Sequence, residues 1–139
     1  MFKLNEEYKV VNLIGATTVT ADLNGTAQDL EVYEPDALAV VSVGNITSTT
    51  ATFVVNIQGS TASAGTYTTL ASSGSLTGTA SAYKFATIPV SLTDSTDYKY
   101  IRAQVDTTAN GGTVSAVMDV KLLVKPVVAT SGINTTTFA

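Results

Sequence analysis

Along Thr113–Lys125, TVSAVMDVKLLVK, every even position is apolar: Val114, Ala116, Met118, Val120, Leu122 and Val124. The odd positions carry Ser115, Asp119, Lys121 and Lys125, interrupted by Val117 and Leu123. A period of two sustained over a dozen residues marks a strand with one face on a core. An amphipathic helix needs apolar residues three and four apart. At about 3.3 Å per residue this stretch would reach roughly 40 Å, so it predicts a strand that spans the domain and against which the others register.

Other segments share this character. Tyr8–Ile14 has strand composition, Gly15 is expected to break it, and Thr17–Leu23 alternates again. Asn24-Gly25 suits a hairpin turn, with Gln28–Tyr33 returning from it. Glu34-Pro35-Asp36 is a turn signal, and the nearly continuous apolar run Ala37–Val43 suits a central strand covered on both faces. After a turn at Gly44-Asn45, Thr52–Gln58 places Phe53, Val55 and Ile57 on one face. Residues 59–82 are small and polar, with a short strand expected at Thr66–Leu70 between two long loops. Tyr83–Leu92 resumes strand character with Phe85 and Ile88 expected in the core, and Pro89, which lacks an N–H, places it at a sheet edge or a bulge.

Asp94–Asp97 makes a further turn, and Tyr98–Asp106 then leads through a glycine-rich turn into the long strand. Read as a hairpin, this pairs Val105 with Val114, Ala103 with Ala116 and Ile101 with Met118. Tyr98 and Tyr100 break the parity. Either a one-residue bulge near Tyr100 and Ile101 sets them opposite Leu122 and Val120, or the tyrosines pack on the opposite face.

Such strands and turns, without a convincing helix, predict an all-β fold: an antiparallel β-sandwich or jelly roll of about eight to ten strands, with a closed barrel as the other architecture. The chain of 139 residues is long enough for one core. It divides into an arm over residues 1–7, a sandwich over 8–126 and an extended tail over 127–139.

What the chain lacks narrows the chemistry. It has no cysteine and no histidine, so a thiolate metal site, the commonest general base and the commonest transition-metal ligand are missing. Charged residues make up 13 %, about half the usual quarter, and the net charge is −4. Scattered basic residues and a negative balance argue against nucleic acid as a partner. No window is apolar enough to span a bilayer, and the opening MFKLNEEYKVVNLIG lacks the form of a secretory signal, so a cytoplasmic origin and no membrane partner are expected.

Each candidate site has a plainer reading. Asp22, Asp29, Glu31, Glu34 and Asp36 cluster in sequence, as paired glycosidase carboxylates would need to do in space, but their turn and polar-face positions favour a solvated surface. Asp22-Leu23-Asn24-Gly25 and Asp94-Ser95-Thr96-Asp97 offer hard oxygen ligands for calcium without the full loop spacing, and turn chemistry accounts for both. Serine and threonine hydroxyls have no histidine to activate them. Arg102, the only arginine, is expected opposite Val117 with Asp119 as a partner, or paired with another subunit. No catalytic, cofactor-binding or metal-ligating residue is assigned, and no enzyme activity is expected.

Two passages resemble a pattern in small virion proteins of tailed bacteriophages. One is Phe53-Val54-Val55-Asn56-Ile57-Gln58-Gly59-Ser60 followed by Gly65-Thr66-Tyr67, where Tyr67 stands in place of a frequent tryptophan. The other is Tyr98-Lys99-Tyr100-Ile101-Arg102-Ala103, the turn Gly111-Gly112-Thr113 and a long strand closing on Val124-Lys125-Pro126. The resemblance implies a capsid decoration or cement protein, located in the virion and assembled in the host cytoplasm. Its implied partners are the major capsid protein or other virion proteins and further copies of itself, with a trimer as the expected oligomer. A tail or fibre component is an alternative. A carbohydrate-binding module is another, with Tyr67 and Tyr83 as its aromatic platform.

Overall fold

The computed structural model describes residues 8–30, 36–44, 46, 50–77, 84–92 and 98–125. Within them all regular structure is strand: β1 (Lys9–Val19), β2 (Leu23–Asn24), β3 (Gln28–Asp29), β4 (Asp36–Gly44), β5 (Thr52–Ser60), β6 (Thr68–Leu76), β7 (Lys84–Ser91), β8 (Tyr100–Thr108) and β9 (Ala116–Val124). One sheet has the order β1-β9-β4-β7; the other has the order β2-β8-β5-β6, with β3 also paired to β8. Every pairing is antiparallel. The expected β-sandwich is therefore the observed one. The expected arms at 1–7 and 127–139 lie outside the described residues.

The even residues of β9, Ala116, Met118, Val120, Leu122 and Val124, are all fully buried, as the alternation requires. Its ladder is shorter than the alternating stretch: Val114 packs against the core, but Thr113–Ser115 lie outside the strand. Facing β9 and β4 across the interior are Phe53, Val55 and Ile57 of β5 and Ile101, Ala103 and Val105 of β8, also fully buried. Burying each of the larger of these side chains, from valine to phenylalanine, contributes about 1.5–3 kcal/mol relative to leaving it exposed.

The expected β8–β9 hairpin does not exist. β8 pairs with β5, β2 and β3, whereas β9 pairs with β1 and β4 in the opposite sheet. The turn between them is tight, with positive φ at Asn110 and Gly111 and a bond from Gly112 N–H to the Ala109 carbonyl at 2.8 Å. Positive φ at both central residues is what a type I′ turn demands. Asn110 Nδ2 donates to the Thr50 carbonyl at 3.0 Å, tying the turn to the entry of β5. Thr113–Ser115 then carry the chain across to the other sheet. The inward parity of both strands is as expected, because strands in facing sheets share an interior just as paired strands share a face. The register between β8 and β5 runs unbroken from Thr108 to Tyr100, so no bulge falls at Tyr100. Tyr100 instead shares the outer parity of Arg102, whereas Tyr98 packs against the core.

Asn24-Gly25 is not a hairpin turn either. β2 and β3 lie one after the other along the same edge of β8, joined through Gly25 N–H to the Ala103 carbonyl at 2.7 Å and continued by Leu30 N–H to the Lys99 carbonyl at 2.7 Å. One extra residue is accommodated between Gly25 and Gln28. Gly25 is needed for close approach: a Cβ there would lie 2.5 Å from the Leu13 carbonyl oxygen and 2.9 Å from Ile14 Cγ1. Nor does Gly15 end a strand. β1 runs through it with register shifts between Asn12 and Ile14 and between Ile14 and Thr17. The shifts turn the consecutive Leu13 and Ile14 both inward, which a regular strand cannot do.

β4 is central, between β9 and β7, but covered on one face only: Ala39, Val41 and Val43 are buried, whereas Leu38 is 36 % exposed. β6 begins two residues later than the expected strand and extends to Leu76, since its shifted register with β5 accommodates a segment without clean alternation. β7 is an edge strand, one of the two placements that Pro89 allows. Its Ile88 is buried, but Phe85 is 76 % exposed. The two residues differ in parity, and Phe85 sits opposite Ser42 on the outward side of β4.

The two phenylalanines make a direct test. Phe53→Ala is expected to cost about 3–5 kcal/mol of unfolding free energy, and Phe85→Ala no more than about 0.5 kcal/mol, both measured by urea denaturation.

Candidate functional site

Outside the core, the two sheets offer very different surfaces. On the five-stranded sheet the outward residues of β5 and β8 form a polar ladder whose members satisfy one another. Asn56 Nδ2 donates to Gln104 Oε1 at 2.8 Å and to Asp106 Oδ2 at 3.1 Å, and Gln104 Nε2 donates to Asp106 Oδ1. Arg102 Nε donates to Gln58 Oε1 at 2.8 Å, and Gln58 Nε2 to Thr69 Oγ1 at 3.3 Å. The Arg102 guanidinium centre lies 4.0 Å from the centroid of the Tyr67 ring, and the Tyr67 hydroxyl donates to the Ser63 carbonyl at 2.8 Å. These contacts knit β6, β5 and β8 together as cross-strand pairs do. Arg102 thus finds Gln58 and Tyr67. Its expected partner Asp119 lies in the other sheet, bound to Lys121 at 2.7 Å.

The acidic residues that cluster in sequence are spread over the fold. Asp22 accepts from the Thr107 N–H at 2.8 Å and its hydroxyl at 2.9 Å, near the end of β8. Asp29 sits at the other end of β8, 3.8 Å from Lys99. Asp36 begins β4 in the opposite sheet. Glu31, Glu34, Asp94, Asp97 and Tyr83 lie outside the described residues. Among the described residues no group of three or more acidic, histidine or cysteine side chains converges in a way that could hold a metal ion.

The four-stranded sheet has the opposite character. Its register aligns Val10 with Leu123, Leu123 with Leu38, and Leu38 with Pro89, so one apolar row crosses all four strands on the outer face. Val10 is 58 % exposed, and Phe85 lies on the same face four residue pairs along the β4–β7 ladder. Beside the middle of this row a shallow pocket of about 330 Å³ is lined by Tyr8, Asp36, Ala37, Leu38 and Leu123. The next row, Asn12, Lys121, Val40 and Thr87, is more polar, with Lys121 Nζ donating to Asn12 Oδ1 at 2.9 Å. Monomeric proteins seldom leave contiguous apolar surface uncovered without a use for it. Of this row the sequence shows only Leu123, as a break in the alternation of β9 that it shares with Val117, which pairs with Thr18 and Gly44 away from the row.

No protein-family model matches the chain, and no curated protein sequence matches it. Solved structures do share its fold. A SPBc2 prophage-derived protein, YomS, is similar with a TM-score of 0.53 at 13 % identity, over 85 % of this chain and 92 % of that one. Eiger TNF from S. frugiperda is similar with a TM-score of 0.53 at 12 % identity, over 90 % of this chain and 96 % of that one. At such identities the likeness is one of fold: a β-sandwich that nature uses in unrelated settings. No helix among the described residues is long and apolar enough to cross a membrane.

The Asp22 contacts carry a pH signature. The Thr107 N–H, and then its hydroxyl, hold the Asp22 carboxyl below the usual carboxylate range. A depressed folded-state pKa contributes stability above the unfolded value, about 4, and loses it as pH falls through the folded value. Asp22→Ala is therefore expected to be less stable than the parent chain at neutral pH, with the gap closing as the pH is lowered below about 4. Urea titrations at a series of pH values check this.

Proposed function

We propose that this chain is a structural protein of a tailed-phage particle that works by adhesion, decorating or cementing the capsid through non-covalent contacts with the capsid lattice. The observation that carries the reading is the contrast between the two outer faces. One is a closed set of cross-strand hydrogen bonds; the other presents the apolar row Val10, Leu123, Leu38 and Pro89 to its surroundings. A rigid sandwich with an adhesive face needs no nucleophile or general base. The motifs at Phe53–Tyr67 and Tyr98–Pro126 support the phage setting, as does the fold shared with a prophage-derived protein.

Further copies of the chain, with a trimer as the working stoichiometry, are the partners this reading adds to the capsid lattice. Glycan recognition through Tyr67 fits less well, because the ring is engaged by Arg102 and its hydroxyl by Ser63.

The test is cryo-electron microscopy and quantitative mass spectrometry of particles from the phage or prophage that encodes the chain. Ordered copies on the head lattice are expected, in a fixed ratio to the major capsid protein. Absence from purified particles overturns the reading, and copies confined to the tail overturn its capsid part.

A further inference from the structure

The apolar row on the four-stranded sheet needs an occupant, and the place where the chain leaves this sheet suggests one. β9 contributes Leu123 to the row and ends at Val124, which pairs with Lys9. The fourteen residues beyond Lys125, PVVATSGINTTTFA, carry no charge and include Val127, Val128, Ile133 and Phe138. We infer that the apolar row of one copy is the docking site for residues 126–139 of a second copy.

Reach and direction both favour a second copy. The row crosses three strand spacings, roughly 14 Å at about 4.8 Å each. Fourteen extended residues reach up to about 50 Å, enough to leave one sheet and cover a row on the next molecule. The chain's own row lies at the end of the sheet that the tail is leaving, so covering it would require an immediate reversal. Pro126 opposes that reversal, since a proline biases the residue before it, Lys125, away from the helical region and toward extended backbone. Docking falls on the face and not on a sheet edge, because Pro89 removes an N–H from β7 and two register shifts disturb β1. The pocket beside Leu38 and Leu123 is the anchor point for an apolar side chain of the incoming segment. An uncharged segment meets a row with no charged side chain of its own, and Asp36 beside the pocket is the one acidic group there that the contact has to leave hydrated.

The absence of cysteine makes the test clean. Full-length chains carrying Leu38→Cys are mixed with full-length chains carrying Phe138→Cys and oxidised at micromolar concentration. Thr69→Cys, on the outer face of the other sheet, replaces Leu38→Cys in a parallel control. At least tenfold more mixed disulfide dimer is expected with Leu38→Cys than with Thr69→Cys. Val10→Cys, in the same row and more exposed, repeats the measurement should Leu38→Cys fail to fold. Equal yields overturn the inference. So does a Leu38→Cys/Phe138→Cys double variant that closes its bridge within one monomer, or a dominant Leu38-to-Leu38 bridge between copies. The inference rests on the adhesive reading, but the two fail separately. A chain found on particles without the mixed dimer removes only the tail contact, and the mixed dimer from a chain absent from particles removes only the phage function.

Discussion

Everything in this molecule depends on the contact between two inner sheet faces. β4 and β9 bring Ala39, Val41, Val43, Met118, Val120 and Leu122 from one side; β5 and β8 bring Phe53, Val55, Ile57, Ile101, Ala103 and Val105 from the other, each with almost no surface left to solvent. Neither sheet could hold its strands in register without the other, because register is set where one face is buried and a slip of one residue would turn the apolar set outward. The chain has no disulfide to add. The buried interior therefore supplies the rigidity from which either outer face can act.

The departures from regular pairing serve that interior. Along β1 two register shifts let Leu13 and Ile14 both point inward, and the close approach at Gly25 brings the carbonyl of Leu13 against the edge of the second sheet. The short strands β2 and β3 then act as one interrupted edge, closing β8 without a hairpin. Ser60, the one buried polar side chain among the described residues, accepts a bond from the Ala62 N–H, so this corner carries a satisfied hydroxyl.

The functional asymmetry lies outside the core. On the five-stranded sheet, amide, carboxylate and guanidinium groups satisfy one another across strands, and a partner would have to break those bonds to gain its own. On the four-stranded sheet an apolar partner would break few bonds and remove exposed hydrocarbon from water. That difference, more than any single residue, is what the proposed adhesive role rests on.

Alternation along the chain was enough to establish strand character and the inward residues of β5, β8 and β9, and Pro89 narrowed β7 to an edge or a bulge, of which the structure has the edge. These follow from local geometry, since successive side chains on a strand point to opposite faces and proline cannot donate. Composition alone removed histidine and thiolate chemistry. Partnership was decided only by the tertiary structure. Parity marks which residues face the interior without saying from which sheet, so β8 and β9 read as a hairpin although they face each other across the core. Asn24-Gly25 read as a turn because a glycine needed for close approach looks the same in sequence as one needed for positive φ. The apolar row escaped the sequence for a related reason. Val10, Leu38, Pro89 and Leu123 lie far apart along the chain, and the register of three ladders is what brings them into one line.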